Sequence, residues 1–165
     1  MHLERKSNTW LEESSKKVVP SEKLESLVET IRARKKTIAT LNGSFDLLHA
    51  GHLEMIFQAS QSADVLIVVL ISDDPIKKYK SSKRPIIPLL YRQQMLAALY
   101  FVNYVTSFTE TDPRRILSII KPDVHINGSE YGIECIEKEV VESNGGRVKI
   151  VDLIRGLSTT KIIEK

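Results

Sequence analysis

Two histidines three residues apart lie in the stretch LNGSFDLLHAGHLEMI, residues 41–56. If a helix begins near residue 50, His49 and His52 are one helical turn apart, and both imidazoles can face one ligand. Gly51 keeps the space between them free of a side chain. Imidazoles donate hydrogen bonds to phosphate oxygens and, when protonated, offset the charge that develops in phosphoryl transfer. The pattern predicts phosphate chemistry, with a metal site and two structural histidines as the alternatives.

Four other features are typical of phosphate binding. Gly43 allows a tight turn that brings backbone N–H groups to a ligand. The segment SDDPIKKYKSSKRP, residues 72–85, predicts a mobile basic loop that closes on a polyphosphate. Arg92, at the start of a predicted helix, has a forked guanidinium suited to phosphate. Residues 158–160, Ser-Thr-Thr, begin a short predicted helix whose hydroxyls and free N–H groups predict a second anion site.

Composition limits the function. The 165 residues, 42% hydrophobic and 27% charged, suffice for one globular domain with a sizeable core. No apolar run is long enough to span a bilayer and MHLERKSNTW has no apolar signal core, so we expect a cytoplasmic protein without a membrane partner. The one cysteine, Cys135, leaves no intramolecular disulfide. The net charge of +3 comes without a basic stripe and interleaved aromatics, so we expect no nucleic-acid partner.

Strand and helix patterns alternate along the chain. Strands are predicted at residues 37–41, 64–71, 104–107, 123–127 and 147–153, and helices from residue 21 and at 50–61, 89–101, 113–120 and 133–143, with Ser158 capping a last short helix. This alternation predicts an α/β fold: a Rossmann-like, doubly wound, mostly parallel sheet with helices on both faces. Residues 1–20 are predicted to form a loosely ordered arm or a docking segment, and residues 21–165 one domain. An exposed Trp10 in this arm is compatible with a homodimer.

Open parallel sheets bind ligands beyond the carboxyl ends of their strands. The histidine stretch, the basic segment, residues 128–131 and residues 155–160 each follow a predicted strand, so we expect them to converge on one site. The sequence contains neither G-x-x-x-x-G-K-[ST] nor G-x-G-x-x-G. A P-loop enzyme and a Rossmann dehydrogenase are therefore disfavoured.

GSFDLLHAGH resembles the H-x-G-H signature of the nucleotidylyltransferase superfamily, and GLSTTKI resembles its second signature near the carboxyl terminus. Within the superfamily, the chain is most similar to D-glycero-β-D-manno-heptose 1-phosphate adenylyltransferases, which occur alone or as the second domain of a bifunctional ADP-heptose synthase. The similarity covers about residues 17–165 and includes KVVPSEKL, SDDPIKKYKSSKRPIIPLLYR and NGGRV. It implies that ATP and a sugar 1-phosphate give ADP-heptose and pyrophosphate for the lipopolysaccharide core. Mg²⁺ on the triphosphate would be the cofactor, with no metal ligand from the protein.

The resemblance also implies roles for individual residues. His49, His52 and Lys77 would be catalytic. The nucleotide would be bound by Gly43, Ser44, Phe45, Asp46, Gly51, Lys80, Arg92, Asn127, Gly128, Ser158, Thr159 and Thr160, with Asp46 buttressing the turn. Catalysis would consist of positioning and charge neutralisation, without an enzyme nucleophile.

The chain departs from the family pattern at three places. Ser44 replaces a cysteine, Asn127 replaces the lysine of V-K-G-G-D-Y, and ETDP, residues 110–113, has Thr and Asp exchanged. The last two departures concern substrate contacts. Three alternatives therefore remain: a cytidylyltransferase that uses CTP and glycerol 3-phosphate or a related phosphorylated alcohol, a nucleotide-binding module without turnover, and a histidine-dependent metalloprotein.

Overall fold

The computed structural model describes residues 9–152, 154, 156 and 158–163. The described strands are β1 Ile38–Gly43, β2 Val65–Ile71, β3 Tyr104–Phe108, β4 Val124–Gly128 and β5 Arg147–Val151. The described helices are α1 Trp10–Ser15, α2 Ser21–Ala33, α3 Ala50–Ser60, α4 Asp73–Tyr79, α5 Leu89–Ala97, α6 Arg114–Ile120, α7 Lys138–Ser143 and α8 Thr159–Ile163. Residues 1–8 of the predicted arm, and residues 153, 155 and 157 around the last predicted turn, lie outside the described residues.

The five strands form one parallel sheet in the order β3–β2–β1–β4–β5. The chain builds outward from β1 through β2 to β3, then crosses back to add β4 and β5 on the other side of β1. The strand order therefore reverses between β1 and β4, which is where open sheets bind ligands. The predicted α/β class is confirmed.

Each face of the sheet carries its own apolar core. On one face, Leu41 and Val68 of the central strands pack with Ile56 of α3 and Leu96 of α5. On the other face, alternate strand residues pack against α2, α6 and α4. Full burial of such side chains stabilises the fold by about 1.5–3 kcal/mol each. Because the central strands are covered on both sides, their sequences are continuously apolar, as the run VLIVVLI of β2 illustrates.

The predicted basic loop at residues 72–85 is wrong over its first half, which forms α4. Asp73 and Asp74 lie in the first turn, where carboxylates complement the helix dipole, and Pro75 is tolerated so close to the helix start. Ile76 is fully buried and anchors the helix to the sheet. Two other predicted helices are shorter than expected: α5 ends at Ala97, and α7 begins only at Lys138.

The described residues of the predicted arm, 9–20, are ordered and dock on the sheet. Thr9 and Glu12 form a reciprocal capping box that begins α1. Farther along, the Val105 N–H donates to the Lys17 carbonyl and the Val19 N–H donates to the Val105 carbonyl, both at 2.8 Å. This segment covers the outer edge of β3, which would otherwise present unpaired backbone groups. None of the described helices is long and apolar enough to cross a membrane.

Candidate functional site

A cavity of about 280 Å³ opens at the carboxyl end of the sheet, at the reversal between β1 and β4. All the predicted site residues line it except Asp46, Lys77 and Arg92. Its walls are the turn after β1, the start of α3, the end of β4 and the start of α8. The predicted residues in this lining are Gly43, Ser44, Phe45, His49, Gly51, His52, Lys80, Asn127, Gly128, Ser158, Thr159 and Thr160.

His49 and His52 are held as a stacked pair at the start of α3. His49 is the N-cap residue, and its Nδ1 accepts a hydrogen bond from the His52 N–H at 3.4 Å. The two ring centroids are 3.8 Å apart with an interplanar angle of 19°, and Phe45 contacts His52 edge-on at 5.1 Å. Because Nδ1 of His49 is an acceptor, its neutral ring carries the proton on Nε2. That Nε2 is buried and has no hydrogen-bond partner among the residues that the structure describes.

Burial keeps both imidazoles neutral in the free protein. It lowers the pKa of His49, and it lowers the pKa of His52 to about 4, with the neighbouring His49 adding to the effect and a backbone contact with Leu47 opposing it. His52 Nδ1 is also buried without a partner. Two ring nitrogens at a helix N-terminus therefore have unfilled hydrogen-bonding capacity, and anionic oxygens are suited to it.

The turn between β1 and α3 is held from behind by Asp46, which is 1% exposed. Its carboxylate accepts hydrogen bonds from Arg84 Nε at 2.5 Å and from the Ile87 N–H at 2.8 Å. Burial raises the pKa of Asp46, but backbone hydrogen bonds and Arg84 outweigh this, so the pKa lies below its ordinary value. Phe45 has a φ of +46°, and a side chain on Gly43 would approach its ring within 3.0 Å. Asp46 therefore stabilises the turn between β1 and α3 without lining the cavity.

Arg92 was predicted to bind the nucleotide, but it does not line the cavity. It is 1% exposed, and its guanidinium donates to the carbonyls of Ser44, Ile71 and Ile87 at 2.7–2.9 Å and to Asp73 Oδ1 at 2.6 Å. With these donors used inside the protein, Arg92 ties α4 and α5 to the turn after β1. Arg92 therefore holds the turn that lines the cavity and does not itself line it.

Lys77 was predicted to be catalytic, but it lies on α4 outside the lining of the cavity. Its side chain is 53% exposed, and its Nζ lies 3.6 Å from Asp74. Lys80, just after the end of α4, does line the cavity, and its Nζ donates to Ser44 Oγ at 3.3 Å. Burial and the charge of Arg84 lower the pKa of Lys80, whereas Asp46 and Glu130 oppose the shift. Of the two predicted lysines, only Lys80 lines the cavity.

The start of α8 forms the wall opposite the histidines. Ser158 Oγ accepts a hydrogen bond from the Lys161 N–H at 3.2 Å and so caps the helix, as predicted. Thr159 Oγ1 donates to the Leu47 carbonyl at 3.5 Å, which joins α8 to the loop before α3. The two anion sites predicted separately from the sequence thus line one cavity.

A second cavity, of about 340 Å³, adjoins the first. The two share Asn42, Gly43, Ser44, Lys80, Asn127 and Tyr131 in their linings. The second cavity also contains Lys78 and Glu137, and neither was among the predicted site residues. Glu137 lay within a predicted helix with nothing in its sequence context to distinguish it. No cluster of three or more potential metal ligands is found among the described residues, so the metal alternative has no support there.

Comparisons with known proteins agree with this geometry. Residues 40–165 match the family model described as cytidylyltransferase-like. Two curated relatives are both described as "Bifunctional protein HldE". The one from Syntrophotalea carbinolica is 40% identical over 154 residues, which are 93% of this chain and 31% of the relative. The one from Pseudomonas putida is 39% identical over 155 residues, 93% of this chain and 33% of the relative. The chain thus spans about a third of the length of these relatives.

Solved structures share the fold. A lipopolysaccharide core biosynthesis protein from Thermoplasma volcanium has a TM-score of 0.59 and 25% identity, covering 72% of this chain and 97% of that one. A pantoate-beta-alanine ligase from Francisella tularensis has the same TM-score at 15% identity, covering 88% and 75%, and this likeness concerns the fold alone.

The cavity at the end of the parallel sheet is lined by a pair of histidines and by the start of a second helix. This arrangement is typical of nucleotidyltransferases. The chain belongs to the cytidylyltransferase-like family and is a nucleotidyltransferase domain.

Proposed function

We propose that this chain transfers an adenylyl group from ATP to D-glycero-β-D-manno-heptose 1-phosphate, releasing pyrophosphate and ADP-heptose for lipopolysaccharide core synthesis in the cytoplasm. The observation that carries the proposal is that His49, His52 and residues 158–160 line one cavity. Cationic, imidazole and helix N-terminal donors around one space suit a polyphosphate. The described relatives, a bifunctional HldE and a lipopolysaccharide core biosynthesis protein, favour the sugar branch.

In the proposed reaction, a phosphate oxygen of the sugar 1-phosphate attacks the α-phosphorus of ATP. A bond forms between that oxygen and the α-phosphorus, and the bond from the α-phosphorus to the oxygen bridging the β-phosphorus breaks. His49 Nε2 and His52 donate to phosphate oxygens whose charge rises in the transition state, and Lys80 offsets that charge. Residues 158–160 hold the β and γ phosphates. These groups act by position and charge, so no covalent enzyme intermediate is needed.

Magnesium fits this site as an ion that enters with the triphosphate. Mg²⁺ favours oxygen ligands, retains several waters and commonly binds through substrate phosphates. The lining of the first cavity offers one carboxylate, Glu130, beside the hydroxyls of Ser158, Thr159 and Thr160. These oxygens suit the outer coordination of such an ion. When bound, Mg²⁺ would supply further neutralisation of the phosphate charge.

The second cavity suits the acceptor. It meets the first along Asn42, Gly43 and Ser44, so a phosphate at this boundary would lie beside both ATP and Lys80. Its volume of about 340 Å³ is adequate for one sugar phosphate. The acceptor and the nucleotide would therefore enter neighbouring spaces and meet where the cavities join.

The test is pyrophosphate release measured for ATP and for CTP, each with the heptose 1-phosphate, other sugar 1-phosphates and glycerol 3-phosphate. We expect turnover with ATP and the heptose 1-phosphate, and one ADP-sugar formed per pyrophosphate. Turnover with CTP alone would establish the second candidate, a cytidylyltransferase, which the description of the matched family favours. ATP binding without pyrophosphate release from any pair would indicate a non-catalytic nucleotide-binding module.

A further inference from the structure

The floor of the second cavity contains a carboxylate that the proposed reaction does not use. Glu137 is 6% exposed and lines this cavity. Its Oε1 accepts a hydrogen bond from Asn42 Nδ2 at 3.2 Å. Among the described residues, Glu137 forms no ion pair with a lysine or arginine. The Cys135 thiol also interacts with the Glu137 side chain. An ionised carboxylate has about four acceptor sites, so Glu137 retains acceptor capacity beyond these two neighbours.

Two amides beside Glu137 also have unused hydrogen-bonding atoms. Asn127 is 6% exposed and lines both cavities; its side chain lies beside the Cys135 thiol, and its buried Nδ2 meets no hydrogen-bond partner among the described residues. Asn42 donates to Glu137, but its own Oδ1 is buried without a partner. Buried polar atoms are almost always paired in native proteins, so unpaired atoms at a cavity wall point to a ligand. This floor offers two kinds of acceptor, a carboxylate and an amide oxygen, and one amide donor.

The charges around the cavity are unevenly distributed. Lys78 and Lys80 belong to its lining on the α4 side, and Glu137 lies just before α7 on the other. A carboxylate repels phosphate but accepts hydrogen bonds from hydroxyl groups, and it can accept two of them at once. A phosphorylated ligand in this cavity would therefore direct its phosphate toward the lysines and its hydroxyls toward Glu137.

We infer that Glu137, assisted by Asn42 and Asn127, is a specificity-determining residue that accepts hydrogen bonds from hydroxyl groups of the acceptor sugar. The inference rests on the proposed function for the acceptor's identity and adds its orientation in the cavity. The hydroxyl groups of a polyhydroxylated acceptor can form hydrogen bonds with the unpaired amide atoms as well as with the carboxylate. An acceptor without hydroxyls at that end leaves Asn42 Oδ1, Asn127 Nδ2 and the remaining acceptor capacity of Glu137 unused, and such sites discriminate strongly.

The first test uses Glu137→Gln, which keeps the size of the side chain and removes its charge. We expect the KM for the heptose 1-phosphate to rise tenfold or more, while the KM for ATP changes less than twofold. Glu142→Gln is the matched control, because Glu142 is exposed on α7 and lines neither cavity. Glu137→Asp, which keeps the carboxylate, should recover part of the loss. An acceptor KM within twofold of the wild-type value in Glu137→Gln would overturn the inference.

A second test locates the hydroxyls with heptose 1-phosphates that each lack a single hydroxyl. The wild-type protein should discriminate tenfold or more against at least one analogue, and Glu137→Gln should lose most of that discrimination. A merely structural role for Glu137 would instead weaken all analogues alike, which would contradict the inference.

Binding measured by calorimetry separates this inference from the proposed function. If no sugar phosphate gives pyrophosphate but the heptose 1-phosphate binds the wild-type protein tenfold tighter than Glu137→Gln, the function is wrong and the inference stands. Inorganic phosphate, as a probe of the phosphate end alone, should bind Glu137→Gln no more weakly than wild type. If the heptose 1-phosphate does not bind the wild-type protein, the inference fails with the function.

Discussion

At the scale of single residues, the protonation of His52 decides how the site handles phosphate. In the free protein, burial holds the pKa of His52 at about 4, so the ring is neutral at pH 7. A bound triphosphate would place negative charge beside it, and an opposite charge nearby favours the protonated form. The pKa of His52 should therefore rise on ATP binding. The site would gain positive charge only when its ligand is present.

Because the pKa of His52 should rise, we expect the protein to take up protons when ATP binds. Between pH 5 and 7, the free His52 is mostly neutral and the bound His52 is partly protonated, so binding should take up a fraction of a proton from solvent. Calorimetry in two buffers with different ionisation enthalpies measures this fraction. His52→Asn is the control, since ATP's own titration is common to both proteins. Equal proton uptake by wild type and His52→Asn would contradict the argument.

The two lysines on either side of the end of α4 give a matched pair. Lys80→Met should weaken ATP-dependent turnover about tenfold or more, since hydrogen bonds to charged groups contribute about 1.5–3 kcal/mol. Lys77→Met should change it less than twofold, because Lys77 lies outside both cavities and beside Asp74. Steady-state pyrophosphate release measures both variants. A larger loss in Lys77→Met than in Lys80→Met would show that the loop adopts another arrangement in the working enzyme.

Sequence reasoning located the residues that carry unusual chemistry at a turn, such as the pair His49 and His52. It assigned Arg92 to the phosphates because a guanidinium at a helix start suits them. Whether its donors are already used depends on the carbonyls of the distant Ser44 and Ile71 as well as that of the nearby Ile87. Glu137 was missed for the same reason. Its importance comes from burial beside a cavity, which arises only when the residue before α7 meets Asn42 at the end of β1.

At the scale of elements, the turn after β1 depends on a buried network. Arg92 connects the Ser44 carbonyl to Asp73 of α4, and Asp46 connects the same turn to Arg84. The helices that pack against the sheet thereby fix the backbone that carries Gly43 and Phe45. The geometry of the phosphate site is thus held by side chains that never reach it.

Arg92→Leu should therefore destabilise the protein by about 3–5 kcal/mol, because it leaves Asp73 and buried carbonyls without their partner. Arg92→Lys keeps the charge but loses the forked geometry, so its loss should be smaller. Urea unfolding at pH 7 compares the two with wild type. A loss below about 1 kcal/mol in Arg92→Leu would mean that water or another residue satisfies these groups.

The strands and most helices followed from apolar periodicity, because their faces are buried in two large cores. Helix α4 did not, because its seven residues include two pairs of neighbouring charged residues and a proline, and Ile76 anchors it by burial. The spacing of Thr9 and Glu12 is a capping-box signal that was overlooked, and the pairing of the following segment with Val105 has no signal in the sequence. Short elements held by tertiary contacts leave little periodic signal.

At the scale of the whole molecule, buried histidines make stability depend on pH. His125 is fully buried in β4, with Nδ1 2.8 Å from Thr40 Oγ1; burial lowers its pKa to about 4, and the charge of Glu137 opposes the shift. The unfolded chain binds these protons near pH 6.5, whereas folded His125 and His52 do not until about pH 4. Stability is therefore unaffected above about pH 6.5 and is lost as the pH falls toward 4.

The free energy of unfolding should thus decrease between pH 6.5 and 4.5 with a slope of up to about 1.4 kcal/mol per pH unit for each such histidine. Urea titrations at several pH values measure the slope. His125→Asn should reduce it, whatever its effect on stability at pH 7. A slope unchanged in His125→Asn would mean that His125 is already protonated in the folded protein.

The whole molecule also explains why two cavities meet at one boundary. The strand order reverses at β1, so the ends of β1 and β4 diverge and leave space on both sides of Gly43. Nucleotide and acceptor spaces then lie next to each other without a second domain.

The most direct test of the central claim, that the histidine pair handles the triphosphate, is pyrophosphate release by His52→Ala with saturating ATP and heptose 1-phosphate. Loss of one preorganised donor to developing charge costs on the order of 10²–10³ in rate. We expect kcat to fall about 100-fold or more, with the circular dichroism spectrum unchanged. Near-normal turnover by a folded His52→Ala protein would show that the phosphate site lies elsewhere.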